Sequence, residues 1–308
     1  MPSQYSGVTG QLHGIVSGLA NRVSGHAGPL RRLLSPLYGR ALQFMSGDRG
    51  ITATINGETF RIDPRFRAAL PAQYEPELLH VLRERLRPGG CLFDIGANLG
   101  IWVLHAARLT GPSGRIVAFE PNPSTADILR THLRMNGIEQ QVRVEPLAVG
   151  VRSGAGRLFG AVAGAGTSRL GEANRDAPAE HMAVDVTVTT LDEYCQASGS
   201  EPSVVLIDVE GFEQDVLAWG ARTIGAQPDV TVVVEMHPTL WGVDGAGRMQ
   251  RLLDQLGRTA VCISGQANAL SEYGQVLLEP LTASHSPHKE INDVRTDGAR
   301  ALPRHEDR

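Results

Sequence analysis

The stretch Phe93–Gly100, FDIGANLG, constrains the fold of this chain more than any other. An apolar strand runs into a glycine turn and the turn opens a helix, the arrangement by which a parallel sheet presents a ligand at its carboxyl edge. Gly96 permits the sharp bend and Gly100 permits close backbone approach. Strands and helices alternate around it: Cys91–Ile95, Arg115–Phe119 and Val142–Val144 read as strands, Ile101–Leu109 and Pro123–Asn136 as helices. Further on, Val184–Thr190, Val204–Asp208 and Val230–Glu235 read as strands, with a helix from Glu213 to Trp219. Short, continuously apolar strands in repeated βα units predict an α/β fold with a Rossmann-like, doubly wound, mostly parallel sheet.

The turn also narrows the cofactor. Glu120 closes the second strand twenty residues past Gly100, where an acid hydrogen-bonds ribose hydroxyls. The dinucleotide pattern GxGxxG fails, because Asn98 and Ile101 stand where its later glycines belong. Asp94 at the strand end suits a ligand with an ammonium group and repels a pyrophosphate. S-adenosylmethionine (SAM) has the ammonium and the ribose and no phosphate. The bland alternative is a generic βα turn with buried acids at its strand ends.

Before the core, residues 1–50 carry five arginines against one acid, Asp48, with apolar residues at helical spacing (Leu12, Ile15, Val16, Leu19; Leu30, Leu33, Leu34, Leu37). This predicts a basic, helical N-terminal arm that caps the domain or frays, or else lies on an anionic membrane or a partner subunit. Ile51–Ile62 alternates around Asn56-Gly57, a hairpin signal, and a helix follows from Pro76 to Leu86. The expected organisation is the arm at 1–50, hairpin and helix at 51–90, the catalytic domain at 91–283 and a polar, disordered tail at 284–308. A formal charge of −4 gives no field for nucleic acid. Cys91, Cys195 and Cys262 are distant and unpaired in sequence, and neither a leader nor a membrane-length apolar run is evident, so a cytoplasmic protein is expected.

The ordered set FDIGANLG (93–100), VAFEPNP (117–123), the 136–150 segment with VEPLAVG, GTSRL (166–170), TLDEY (190–194), LIDVEGFEQDVLAWGA (206–221) and VVVEMHP (232–238) resembles the FkbM family of SAM-dependent methyltransferases. The resemblance spans roughly residues 75–240. It implies a class I methyltransferase fold, SAM as cofactor, and O-methylation of a sugar or glycan, or of a secondary-metabolite hydroxyl, with a small-molecule or glycan acceptor. It places Asp94, Gly96, Asn98 and Gly100 along the methionine part of SAM, Glu120 on the ribose, Pro121 and Asn122 beside the adenosine, and Ala148 against the adenine. One residue departs: Leu206 stands where the family usually has lysine, which changes the charge balance near the site.

An alcohol gives up its proton as it attacks a methyl group, so a base within hydrogen-bond reach is expected, worth about 10²–10⁴ in rate. Candidates belong beyond the strand ends. Asp208 and Glu210 end one strand, and Glu235 and His237 end the next. His237 is the first choice, its ordinary pKa of about 6.5 suiting neutral pH; Asp208 would orient the base or the hydroxyl. Taken singly each has a structural alternative, such as Glu210 capping the following helix. The same oxygen-rich set would also suit magnesium, although no metal ligand is assigned. The rival classes are an NAD-dependent oxidoreductase, disfavoured by the failed glycine pattern, and a non-catalytic SAM-binding protein.

Overall fold

The computed structural model describes residues 5–6, 43–44, 46–160, 163–164, 169–170, 183–225 and 229–281. In chain order, β1 (Tyr5–Ser6), β2 (Ile51–Ile55), β3 (Glu58–Ile62) and α1 (Pro76–Arg85) precede the core. Then come β4 (Cys91–Ile95), α2 (Ile101–Thr110), β5 (Arg115–Phe119), α3 (Pro123–Asn136) and β6 (Val142–Glu145). A middle section holds β7 (Leu147–Val149), β8 (Gly154–Phe159), β9 (Arg169–Leu170), β10 (Ala183–Thr189) and α4 (Leu191–Ser198). The chain returns through β11 (Val204–Ile207), α5 (Glu213–Ala218), α6 (Ala221–Gly225), β12 (Thr231–Met236), α7 (Gly245–Gln255), β13 (Arg258–Cys262) and β14 (Gly274–Pro280).

Seven strands form the central sheet in the order β13-β14-β12-β11-β4-β5-β6. All neighbours are parallel except those of β14, which runs against both β12 and β13. This is the doubly wound, mostly parallel sheet that the sequence predicts. Alternate residues of each strand feed two cores. Leu92, Ile116, Leu206 and Val233 pack with α1, α2, α3 and the hairpin, whereas Phe93, Val117, Val205 and Val232 pack with α4 to α7. Burial on both faces explains the near-continuous apolar strands. The chain leaves β4 toward β5 and β6, then returns to β11 on the other side, so the crevice beyond β4 and β11 is the switch point where such sheets bind ligands.

One expected strand is in another place. Val184–Thr190 does not join the parallel sheet; as β10 it pairs antiparallel with β8 and parallel with β7, inside a separate sheet of order β7-β10-β8-β9. Ala183–Thr189 alternates apolar and polar residues, and only Val186 and Val188 are buried, the pattern of a strand with one wet face. The hairpin forms with Asn56-Gly57 at its tip, and β1 adds a third strand. It is pinned by His132 of α3, whose Nε2 accepts from the Asp63 N–H at 3.0 Å while Nδ1 bonds the Leu99 carbonyl at 2.8 Å. The two amphipathic stretches of the arm and the tail lie outside the described residues. Among the described residues no helix is long and apolar enough to cross a membrane.

Candidate functional site

The turn after β4 is held by the neighbouring strand: Gly96 and Ala97 both donate to the Phe119 carbonyl, each at 3.0 Å. Gly96 has φ +92°, and a Cβ there would stand 1.8 Å from the carbonyl oxygen of Asp208, so only glycine lets the turn approach β11. Gly100 is also left-handed, but its close approach is to α3, where a Cβ would stand 2.1 Å from Leu129 Cδ1. Asn98 and Glu210 take positive φ without being glycine, at 46° and 48°. Sparsely populated conformations of this kind collect at ligand sites.

Two clefts open on either side of the ridge made by Gly96, Asn98 and Asp208, all three of which line both. The first, about 700 Å³ and open to solvent, is lined by Glu120, Pro121 and Thr125 with Phe119, Leu147, Ala148 and Leu158. The second, about 620 Å³, is lined by Tyr74, Glu75, Asp94, Trp102, Glu235 and Gln275 among others. Among the described residues neither is lined by lysine or arginine.

Asp94 is buried on β4, and its Oδ2 has no hydrogen-bond partner. Burial, with help from Glu120 and Glu75, pushes its carboxyl up to about 7. Glu120 is likewise buried and pushed up to about 7 by loss of water, although the Asn98 and Asn122 N–H groups donate to its two oxygens at 2.9 and 2.8 Å. Gly100 and Asn122 line neither cleft: Gly100 opens α2, and Asn122 caps α3 by accepting from the Ser124 N–H at 3.0 Å. This set of acceptors fits SAM. An orphaned carboxylate awaits an ammonium, the apolar slot at Leu147 and Ala148 suits a flat base, and an acid lies beside the slot with lone pairs left for hydroxyls.

The strand ends of β11 and β12 bring the remaining candidates together: Glu210 lines the first cleft, Glu235 the second and Asp208 both, whereas His237 is buried behind them and lines neither. One ligand atom each of Asp208, Glu210 and His237 lies within 4.8 Å of the others. Asp208 hydrogen-bonds Glu235, which also accepts from the Tyr273 hydroxyl. Loss of water, then Glu235 and Glu210, raises the Asp208 carboxyl well above the carboxylate range. The sequence reading missed the residue that organises this cluster. Glu213, fully buried at the start of α5, accepts from the Gly211 N–H at 2.7 Å, from His237 Nδ1 at 2.8 Å and from Trp241 Nε1 at 2.5 Å. Glu213 ties down the helix start through the Gly211 N–H, and Glu210 faces His237 Nε2 at 3.6 Å. Burial pulls the imidazole pKa down, but the bond to Glu213 and the charges of Glu213, Glu210 and Glu235 outweigh it, and the net shift is upward. His237 is therefore a stronger base than an unperturbed histidine, and less of it is neutral at a given pH.

The sequence model of the methyltransferase FkbM domain matches residues 94–259. The chain is 30% identical over 176 residues to the hexuronic acid methyltransferase AglP of Haloferax volcanii, covering 55% of this chain and 64% of that one. It is 39% identical over 75 residues to the 31-O-demethyl-FK506 methyltransferase FkbM of Streptomyces tacrolimicus, covering 24% and 27%. Both matches span less than two thirds of those relatives. Among solved structures, the O-methyltransferase TomG of Streptomyces achromogenes, in complex with SAM, aligns at 20% identity and a TM-score of 0.40, covering 66% of this chain and 77% of that one. The fold itself rests on the strand order: a Rossmann-like, class I methyltransferase sheet with its glycine turn at the switch point. With the domain model matching more than half of its length, the chain belongs to the FkbM family of SAM-dependent methyltransferases.

Proposed function

We propose that this protein transfers the methyl group of SAM to a hydroxyl oxygen of a sugar or glycan, or of a secondary metabolite. The observation that carries the reading is His237, clamped at Nδ1 by buried Glu213 and offering Nε2 to a cluster of carboxylates beside the glycine turn. Bound SAM supplies an electrophilic methyl group on a sulfonium. Asp94 holds the ammonium, Glu120 the ribose, and Pro121 and Ala148 flank the adenosine. Glu213 accepts the Nδ1 proton, which leaves the Nε2 lone pair free to take the proton of an acceptor hydroxyl. Asp208, sharing a hydrogen bond with Glu235, positions that hydroxyl. Relatives named for a hexuronic acid and for 31-O-demethyl-FK506 support an oxygenated acceptor, and three free cysteines suit a reducing, cytoplasmic setting.

The test is His237→Ala assayed for methyl transfer and for SAM binding. A general base acts mainly in the transition state, so kcat should fall by about 10²–10⁴ with SAM affinity nearly unchanged. Asp208, Glu210 and His237 also form a donor set for a divalent cation. Turnover abolished by EDTA and restored by magnesium would make them ligands and displace the base assignment.

A further inference from the structure

The clefts contain more hydrogen-bond acceptors than one cofactor ammonium can meet. Asp94 on β4, Asp208 after β11, Glu235 on β12 and Gln275 on β14 follow one another across four neighbouring strands. Strands lie about 4.8 Å apart, so Asp94 and Gln275 are separated by roughly 14 Å, too far for a single ammonium. The far end of the row is a unit of its own. Gln275 stands directly opposite Glu235 in the β12–β14 pair, and Cβ atoms of such pairs are about 4.5–5.5 Å apart. Glu75, at the start of α1, lies over them and accepts from the Gln275 amide and the Trp102 indole. Gln275 is 4% exposed, and its Oε1 has no hydrogen-bond partner.

Three acceptors therefore converge, two of them acids, with no lysine or arginine among the described lining residues. Burial and then the charge of Glu235 push Glu75 up to about 7, the mark of a carboxylate that lacks a cation. Beside them Tyr273 is 64% exposed, its ring centre 5.3 Å from that of His237. An exposed aromatic face next to carboxylates favours an ammonium again.

Resting on the methyl-transfer reading above, we propose that the acceptor is an amine-bearing hydroxyl compound, of the amino-sugar or amino-alcohol class, whose ammonium is taken by Glu75, Glu235 and the Oε1 of Gln275. An ammonium brings three donors to three acceptors and relieves the crowding of like charge. An acceptor carboxylate or phosphate at the same place would meet two acids and no cation. The chain thus differs in acceptor charge from its relative named for a hexuronic acid.

S-adenosylhomocysteine is titrated first by calorimetry; failure to bind sinks the methyl-transfer reading itself and is recorded separately. The product-saturated protein is then titrated with the methyl glycosides of glucosamine, glucose and glucuronic acid. The amine should bind at least tenfold more tightly than the neutral hexose, and the uronate should give no heat. Uronate binding as tight as the amine, or no glycoside binding while the product binds, overturns the proposal. Glu75→Gln should shrink the amine-over-hexose preference to threefold or less; an unchanged preference also overturns it. Should that variant fail to fold, Gln275→Leu reads the same loss.

Discussion

At the scale of single residues, Asp94 and Glu213 are two buried acids with opposite circumstances. Asp94 has an orphaned oxygen and a carboxyl lifted to about 7. A ligand ammonium lowers that pKa, so SAM binding near pH 7 should release protons, visible as binding heats that change with the ionisation enthalpy of the buffer. Asp94→Asn should cut the release and weaken SAM by at least the value of one charged hydrogen bond, about 1.5–3 kcal/mol. Its ligand-free form should nonetheless melt higher than the wild type at pH 8, because no buried charge then forms. Glu213, in contrast, is satisfied by three donors. Removing its charge in Glu213→Gln withdraws the main support for the imidazolium. The acid limb of the rate profile, above 6.5 in the wild type because His237 is shifted upward, should move to lower pH, and kcat should drop. An unmoved limb would mean that another group titrates.

At the scale of elements, the approach of the β4 turn to β11 fixes how the two halves of the sheet meet. Gly96→Ala adds a Cβ that would stand 1.8 Å from the Asp208 carbonyl, at a φ that L side chains avoid. Backbone must shift, and a loss of about 2–4 kcal/mol in urea unfolding is expected, with SAM affinity lost in the same variant. Such turns announce themselves in sequence. Strands β4 and β5 and helix α3 end where glycine, proline and apolar periodicity place them, because each of those signals is local. The small sheet was not legible as a separate unit. Its strand β10 differs from a core strand only in alternating, and no local signal states its partners. The site divided the same way. The motif acids come from strand ends, while Glu75 comes from a helix start with no motif and reaches the cleft only through packing of α1 on α2. Glu213 lies within the DVEGFE stretch, yet its burial depends on Trp241, 28 residues on.

At the scale of the molecule, the crowded acids make stability depend on pH and on ligand. Asp94, Glu120 and Glu75 sit at about 7 in the fold against ordinary values of 3.8 to 4.5. Between those limits the folded state holds more protons than the unfolded chain, so these groups make stability fall as pH rises. His237, shifted upward, acts in the same direction above 6.5. The buried histidines oppose them on the acid side: His105 is lowered to about 4 by burial, and His132 is lowered also, so both add stability as pH climbs toward 6.5. Above 6.5 the rising contributions fade, and the three raised acids with His237 outweigh the two histidines. The melting temperature of the ligand-free protein should therefore drop from pH 6.5 to pH 8, and saturating S-adenosylhomocysteine should flatten that drop. A ligand-free melting temperature that rises over this interval would contradict the upward shifts that burial imposes on these acids.

The grip of His132 on Asp63 has a consequence in time. The bond joins residues 69 positions apart, and the apolar side of the hairpin is covered by α2 and α3, which are made later. At a synthesis rate of about 5–20 residues per second, the finished hairpin waits on the order of 3–14 s before its partner helix emerges. Throughout that interval Ile51, Ile55, Phe60 and Ile62, all buried in the native core, face water on the nascent chain. The hairpin is thus a segment that a ribosome-associated chaperone would meet with its apolar face open, and the histidine that closes over it marks when it can let go.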